Sequence, residues 1–189
     1  MVKNILIVGV GGQGTLLASK IMGRVFTEQG YDVKVSEVHG MSQRGGSVVT
    51  YVRYGDAVYS PLIEKGEADL LLSFEELEAA RWLPYLKEGG ELITNTQQMD
   101  PMSVIMGNAV YPQDVTAKLK AAGVSVLALD ALALARQAGS VRAVNTVLLG
   151  TAARRLLPDK QIWLETIRAC VPAKTIDVNE KAFTLGFEA

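Results

Sequence analysis

The residues best suited to chemistry fall in one run, Glu37-Val38-His39-Gly40-Met41-Ser42-Gln43-Arg44-Gly45-Gly46, which holds the only histidine of the chain. An imidazole titrates near neutral pH and can hand over a proton. A guanidinium is a planar fork for a carboxylate or a phosphate. Gly45 and Gly46 beside Arg44 would let a ligand or a partner backbone come close, and Ser42 and Gln43 add hydrogen-bonding groups at the same mouth. Strand-like residues lead in (Val33, Val35) and out (Val48, Val49, Tyr51, Val52). A polar, glycine-rich turn between two such runs is where chains commonly carry working groups. The competing reading is a structural loop, in which the glycines supply positive φ, Arg44 pairs with Glu37 and His39 is one more hydrogen-bonded loop residue.

A second candidate precedes it. Residues 3–9 form a short continuous apolar run, the pattern of a strand buried on both faces. Gly9-Val10-Gly11-Gly12-Gln13-Gly14 follows, and then Leu16, Leu17, Ile21, Met22, Val25 and Phe26 recur at helical spacing until Gly30. Residues 32–38 read as the second strand of a β-turn-α-β unit, parallel to the first with a right-handed crossover. Gly9, Gly11 and Gly14 satisfy G-x-G-x-x-G, and Glu37 stands near the place of a ribose-binding acid. Small residues and the free N–H groups of a helix N-terminus suit a phosphate. The glycines serve equally well if they provide only a tight turn and close helix–sheet packing.

These pairs need a scaffold, and the composition bounds it. A chain of 189 residues suits one domain. It is 49% hydrophobic but only 6% aromatic, so the core should be aliphatic, as in an α/β protein with buried parallel strands. With 19 basic and 20 acidic residues, nothing favours nucleic acid or an anionic membrane as partner. No apolar run approaches the roughly 18 residues of a membrane span. There is no signal-peptide layout, so the expectation is a soluble cytoplasmic protein. The one cysteine, Cys170, excludes an intrachain disulfide and any self-contained iron–sulfur or cysteine-rich zinc site. No metal-ligating set stands out.

Downstream, residues 47–53 and 58–60 suggest a hairpin turning near Gly55-Asp56, which adds antiparallel strands to an otherwise parallel sheet. Strands are expected at 68–73, 91–95 and 124–129, with a short one near Val110. Helices are expected at 74–83, 113–122 and 130–138, the last capped by Asp130. Lys87-Glu88-Gly89-Gly90 reads as a turn, and residues 96–108 as an irregular loop over one edge. Met99, Met102 and Met106 there suit either an adaptable partner surface or the filling of a core edge. The remaining segments, 144–157, 160–169 and 176–185, are helical. Gly150 and Ala153 would permit close approach, and Asn145 would bond backbone at the start of its helix. The fold class is therefore α/β, a three-layer α/β/α arrangement with a mostly parallel but mixed Rossmann-like sheet and a helical C-terminal segment.

The two glycine-containing motifs together resemble the gamma-type domain of the 2-oxoacid:ferredoxin oxidoreductases. Within that group the Gln43-Arg44-Gly45-Gly46 element is most similar to the beta subunit of indolepyruvate ferredoxin oxidoreductase. Leu72-Ser73-Phe74-Glu75 before Glu78-Ala79, Tyr111-Pro112, Asn145 to Gly150, and Asn179 with Ala182-Phe183 and Gly186 agree. The resemblance covers residues 1–189 as one domain. It implies a subunit that binds no cofactor alone. Thiamine diphosphate, magnesium and [4Fe–4S] clusters would reside on a larger alpha subunit. The complex would decarboxylate an aryl 2-oxoacid, pass electrons to ferredoxin and transfer the acyl group to coenzyme A. The residues agree with this division, since the nearest approach to a thiamine-binding Gly-Asp-Gly is Gly55-Asp56-Ala57. Arg44 and His39 become the candidate catalytic residues. Gly11, Gly12, Gln13, Gly14, Glu37, Ser42, Gln43, Gly45 and Gly46 form the ligand or interface loops, with Gln13 expected to link the turn to the Glu37–Gly46 stretch across adjacent strand ends. The alternative is a stand-alone NAD- or FAD-binding protein using Gly9, Gly11, Gly14 and Glu37.

Overall fold

The computed structural model describes residues 1–39 and 46–189. The first strand, β1 (Lys3–Val10), is buried on both faces: Ile5 and Ile7 point one way, Leu6 and Val8 the other, and none of the four is exposed. Helix α1 (Thr15–Glu28) follows, and its end is closed by Gly30 in a left-handed conformation, with the Tyr31 N–H returning to Phe26 O at 3.1 Å. Then come β2 (Asp32–His39), β3 (Ser47–Gly55) and β4 (Ala68–Ser73).

Helix α2 (Glu76–Trp82) leads through a 3-10 turn into β5 (Leu86–Asn95). A short α3 (Met102–Ile105) and α4 (Val115–Ala121) precede β6 (Ser125–Leu129). The rest is helical: α5 (Ala131–Ala138), α6 (Val144–Leu156), α7 (Lys160–Cys170) and α8 (Ile176–Glu188).

The sheet has six strands in the order β2-β3-β1-β4-β5-β6. β1, β4, β5 and β6 are parallel neighbours, whereas β3 is antiparallel to both β1 and β2. α1 and α5 to α8 cover one face, where Phe26, Trp163 and Phe183 are fully buried. α2 and α4 cover the other through Ala79, Val115 and Leu119. This is the expected three-layer α/β architecture. The C-terminal helices complete one layer rather than forming a separate cap.

Four local expectations change. β1 and β2 run in the same direction, but β3 lies between them. The hairpin partner of β3 is β2, not residues 58–60, so the hairpin connection is the stretch after His39 and not Gly55-Asp56. Arg53 fixes the outgoing chain away from the sheet by donating to Ser60 O at 3.0 Å and Leu62 O at 2.8 Å. The residues read as a turn at 87–90 belong to β5, beside an irregularity in the β4–β5 register. Residues near Val110 form no strand.

The tightest packing lies between α6 and α8. A Cβ on Gly150 would stand 2.2 Å from Phe183 O, and one on Gly186 only 1.9 Å from Val147 O. Thr151 Oγ1 donates to Gly186 O at 2.9 Å across the same crossing. Gly150 thus has the close-approach role its surroundings suggested, and Gly186 is its counterpart.

Candidate functional site

Helix α1 leaves β1 towards one face of the sheet and α2 leaves β4 towards the other. A crevice opens where neighbouring strands diverge in this way, at their C-terminal ends. The glycine turn lies there. Gly14 is the left-handed N-cap of α1 (φ 87°), and among the described residues no side chain caps the helix, whose first N–H groups suit an anion.

Gln13 holds the turn in shape. Its Oε1 accepts from Val10 N at 2.7 Å and its Nε2 donates to Phe74 O at 3.0 Å. Gln13 therefore braces β1 against the end of β4; its expected link to the 37–46 stretch falls largely outside the described residues. Among the described residues a backbone bond links the two motifs, from Gly11 N to Gly46 O at 2.9 Å.

Two clefts flank the turn. One, of about 810 Å³, is lined by Gly11 to Gly14, Gln97, Met99, Leu132, Val141, Arg142, Val144 and Asn145. Arg142 is the one charged side chain among these residues. The other cleft, of about 450 Å³, brings Gly11, Gly12, Gly14, Thr15 and Leu16 together with Glu37 and Val48. Glu37 accepts from Thr50 Oγ1 at 3.3 Å. It faces the glycine turn as expected, but across β3, one strand spacing (~4.8 Å) farther out than in a dinucleotide-binding βαβ unit. That displacement weighs against a ribose contact.

His39 ends β2, its backbone in register with Val48. The expectations for the His39 side chain and for Ser42, Gln43, Arg44 and Gly45 fall outside the described residues.

Asn145 ties the start of α6 to the same turn. Its Nδ2 donates to Gly14 O at 3.4 Å, while its Oδ1 accepts from Thr146 N at 2.9 Å. It bonds backbone at the start of its helix as anticipated, and bridges two helix starts as well.

Sequence reasoning missed a cluster of buried acids. Glu75, Glu76 and Glu78 are only 1, 7 and 2% exposed, although an acidic helix start normally faces water. Each is saturated by donors. Glu75 caps α2 by accepting from Glu78 N at 2.8 Å, and its other oxygen accepts from Tyr111 Oη at 2.5 Å and Met99 N at 3.1 Å. Glu76 takes Thr116 N at 3.0 Å, Thr116 Oγ1 at 2.7 Å and Gln98 Nε2 at 2.8 Å. Glu78 takes Ser47 Oγ at 2.5 Å and the Arg81 guanidinium at 2.6 Å.

Burial alone would raise the Glu76 carboxyl, but the bonds from Gln98 and Thr116 outweigh it and hold the group below its ordinary range. The Tyr111 hydroxyl is pushed far above its ordinary value, first by burial and then by the Glu75 carboxylate. Glu75 and Glu76 serve as anchors: they fasten the connection between β5 and α4, and with it Met99, to the rim of the larger cleft. The only signal in the sequence was the placement of Glu75 directly after a strand, at an N-cap position.

That connection carries Met102, Ile105, Met106 and Val110, which are 61 to 86% exposed. Of the two readings for the methionines, filling a core edge is excluded for Met102 and Met106. Among the described residues no group of three or more His, Cys, Asp or Glu could hold a metal ion, and no helix is long and apolar enough to cross a membrane.

The family model for pyruvate ferredoxin/flavodoxin oxidoreductase matches residues 4–189. The chain is 47% identical to an indolepyruvate oxidoreductase subunit IorB of Thermococcus kodakarensis, over 98% of this chain and 95% of that one. It is 46% identical to the subunit of the same name from Pyrococcus horikoshii, with the same coverage. The crystal structure of a keto/oxoacid ferredoxin oxidoreductase gamma subunit from Geobacter sulfurreducens superposes with a TM-score of 0.72 at 25% identity, covering 98% of this chain and 96% of that one. With near-complete coverage in both directions and a matching fold, this chain belongs to the pyruvate ferredoxin/flavodoxin oxidoreductase family.

Proposed function

We propose that this chain is the small, gamma-type subunit of an indolepyruvate:ferredoxin oxidoreductase, an enzyme that oxidatively decarboxylates an aryl 2-oxoacid to its acyl-CoA with ferredoxin as electron acceptor. The observation that carries this reading is the end-to-end similarity, at 46 and 47% identity, to subunits bearing that name. A stand-alone NAD- or FAD-binding protein is disfavoured, because β3 separates Glu37 from the strand that carries the glycine turn.

In this reading the larger subunit holds thiamine diphosphate with magnesium and the [4Fe–4S] clusters. A [4Fe–4S] cluster takes about four thiolates, and this chain has one cysteine. When bound, those groups supply the decarboxylation chemistry and the path for electrons. The contribution of this chain is to complete and orient the pocket. Arg44 receives the carboxylate of the oxoacid or a phosphate of coenzyme A. His39 supplies a proton beside it, and the uncapped start of α1 favours negative charge in the adjoining clefts. The exposed apolar side chains between β5 and α4 sit on the connection that also lends Met99 to the larger cleft, which suits docking of the larger subunit at that rim. The assembled enzyme is placed in the cytoplasm.

The test is co-expression with the larger subunit, followed by viologen reduction with an aryl pyruvate and coenzyme A. The isolated chain should be inactive and bind no dinucleotide by calorimetry. Arg44→Ala should assemble normally and lose turnover. Micromolar dinucleotide binding by the isolated chain, or an Arg44→Ala complex with full turnover, would count against the reading.

A further inference from the structure

Glu78 is 2% exposed, yet the mechanism outlined above gives it no task. Burying a carboxylate is costly, and a structure retains one when its bonds fix something in place. What Glu78 fixes is the point where the chain returns to the sheet after residues 40–45. Its Oε2 accepts from Ser47 Oγ at 2.5 Å, and its Oε1 is held by Arg81 at 2.6 Å. Trp82 Nε1 reaches the same Ser47 hydroxyl at 3.4 Å. Ser47 begins β3 in register with Val10, and the residue before it, Gly46, accepts the Gly11 N–H.

Glu78 in turn cannot drift. Its own N–H is bonded by Glu75, whose other oxygen is tied to Tyr111 and Met99. A continuous chain of bonds thus runs from the rim of the larger cleft, through α2, to the Gly46 end of the second motif.

We propose that Glu78 and Ser47 form a latch that sets the position of Gly46 against the Gly11 turn, making both positioning residues for the oxidoreductase reaction. The inference rests on the functional reading above. It names residues outside the two motifs and a direction of action: Glu78 acts through Ser47 and Gly46 on the neighbouring motif, without touching substrate.

The experiment uses the complex with the larger subunit. Ser47→Ala, Ser47→Thr, Glu78→Gln and Arg44→Ala are compared for kcat, KM, thermal midpoint and hydrogen exchange at the Gly11 amide. Losing a bond to a buried charged group should cost Ser47→Ala about tenfold in kcat and speed Gly11 exchange by a similar factor. The midpoint should fall by a few degrees as buried Glu78 loses a donor, so kcat is read per folded complex. Ser47→Thr, which keeps the hydroxyl, should restore both. A merely structural role would move the midpoint and leave kcat per folded complex unchanged, and that result overturns the latch. If Arg44→Ala is inactive while Ser47→Ala matches wild type in both kcat and Gly11 exchange, the latch fails and the functional reading stands. If both variants turn over normally, the functional reading fails and the latch with it. Should Glu78→Gln not fold, Ser47→Ala decides alone.

Discussion

Replacing Gly14 with alanine tests the site from its backbone outward. Gly14 has φ of 87°, and a Cβ there would lie 2.7 Å from Asn145 Nδ2 and 3.1 Å from its Cγ. Two costs add. Holding an L-residue in the left-handed region costs roughly 1–2 kcal/mol. Driving the Asn145 amide aside breaks its bond to Gly14 O, worth about 1 kcal/mol net. The expected loss is about 2–3 kcal/mol, which lowers the thermal midpoint of a chain this size by about 4–12 °C.

Gly12→Ala is the control, since φ there is 99° but nothing lies within 4 Å of the added methyl. It should pay only the backbone term. The decisive measurement is a double-mutant cycle by urea denaturation. In an Asn145→Ala background, Gly14→Ala should cost about 1 kcal/mol less than in the wild type, approaching Gly12→Ala. If the two glycine substitutions cost the same in the wild-type background, and the cycle shows no coupling, the account of Asn145 as a brace on the turn is refuted.

Other perturbations reach different parts of the molecule. Gly186→Ala should force α6 and α8 apart, costing about 2–3 kcal/mol even after alanine's better helix propensity is credited, whereas Gly23→Ala on α1 should be near neutral in the same unfolding assay. Tyr111→Phe removes the donor to Glu75 and leaves the Leu77 N–H unpaired, so unfolding should become about 1–3 kcal/mol easier. Glu76 is held below the ordinary carboxylate range, so its contribution is fully present above about pH 4.3 and is lost as pH falls through its depressed native value. A Glu76→Gln variant should therefore show a shallower loss of thermal midpoint below that pH.

Much of the scaffold was legible because its signals are local. β1 is an uninterrupted aliphatic run, α1 ends at a left-handed glycine, and Asp130 caps α5 by accepting from Ala133 N. The long helix from Val144 and its partner contact at Gly150 followed from small residues at helical spacing. What escaped depends on partners distant in sequence. No local pattern says that β3 pairs on both edges and stands between β1 and β2. The Gly55-Asp56 turn signal was real, but the chain beyond it is drawn off by Arg53, while β2 supplies the hairpin.

Nothing local announces that the acids of α2 are buried, since charge at a helix start ordinarily faces water. Their donors, Tyr111, Thr116 and Ser47, lie 31 to 40 residues away, beyond any window that spacing can exploit. At the site, the glycine turn and Glu37 were placed correctly at one end of the sheet. The brace that Gln13 makes between β1 and β4 was not legible, because only the β1–β4 adjacency brings Phe74 within reach of a side chain in the turn.

The unbroken ladders on both sides of β3 have an implication for how this family can vary. Asp32 to His39 pair one-for-one with Gly55 back to Val48, and Lys3 to Val10 pair with Tyr54 back to Ser47, with no register shift on either side. Both ends of the second motif are thus fixed by strand pairing. The span from residue 40 to 45 can gain, lose or exchange residues without disturbing a single ladder bond, whereas in a β-α-β crossover the same edit would have to be absorbed by a helix and its packing. On the function proposed above, substrate preference could diverge in this one short span while the sheet and the glycine turn stay the same.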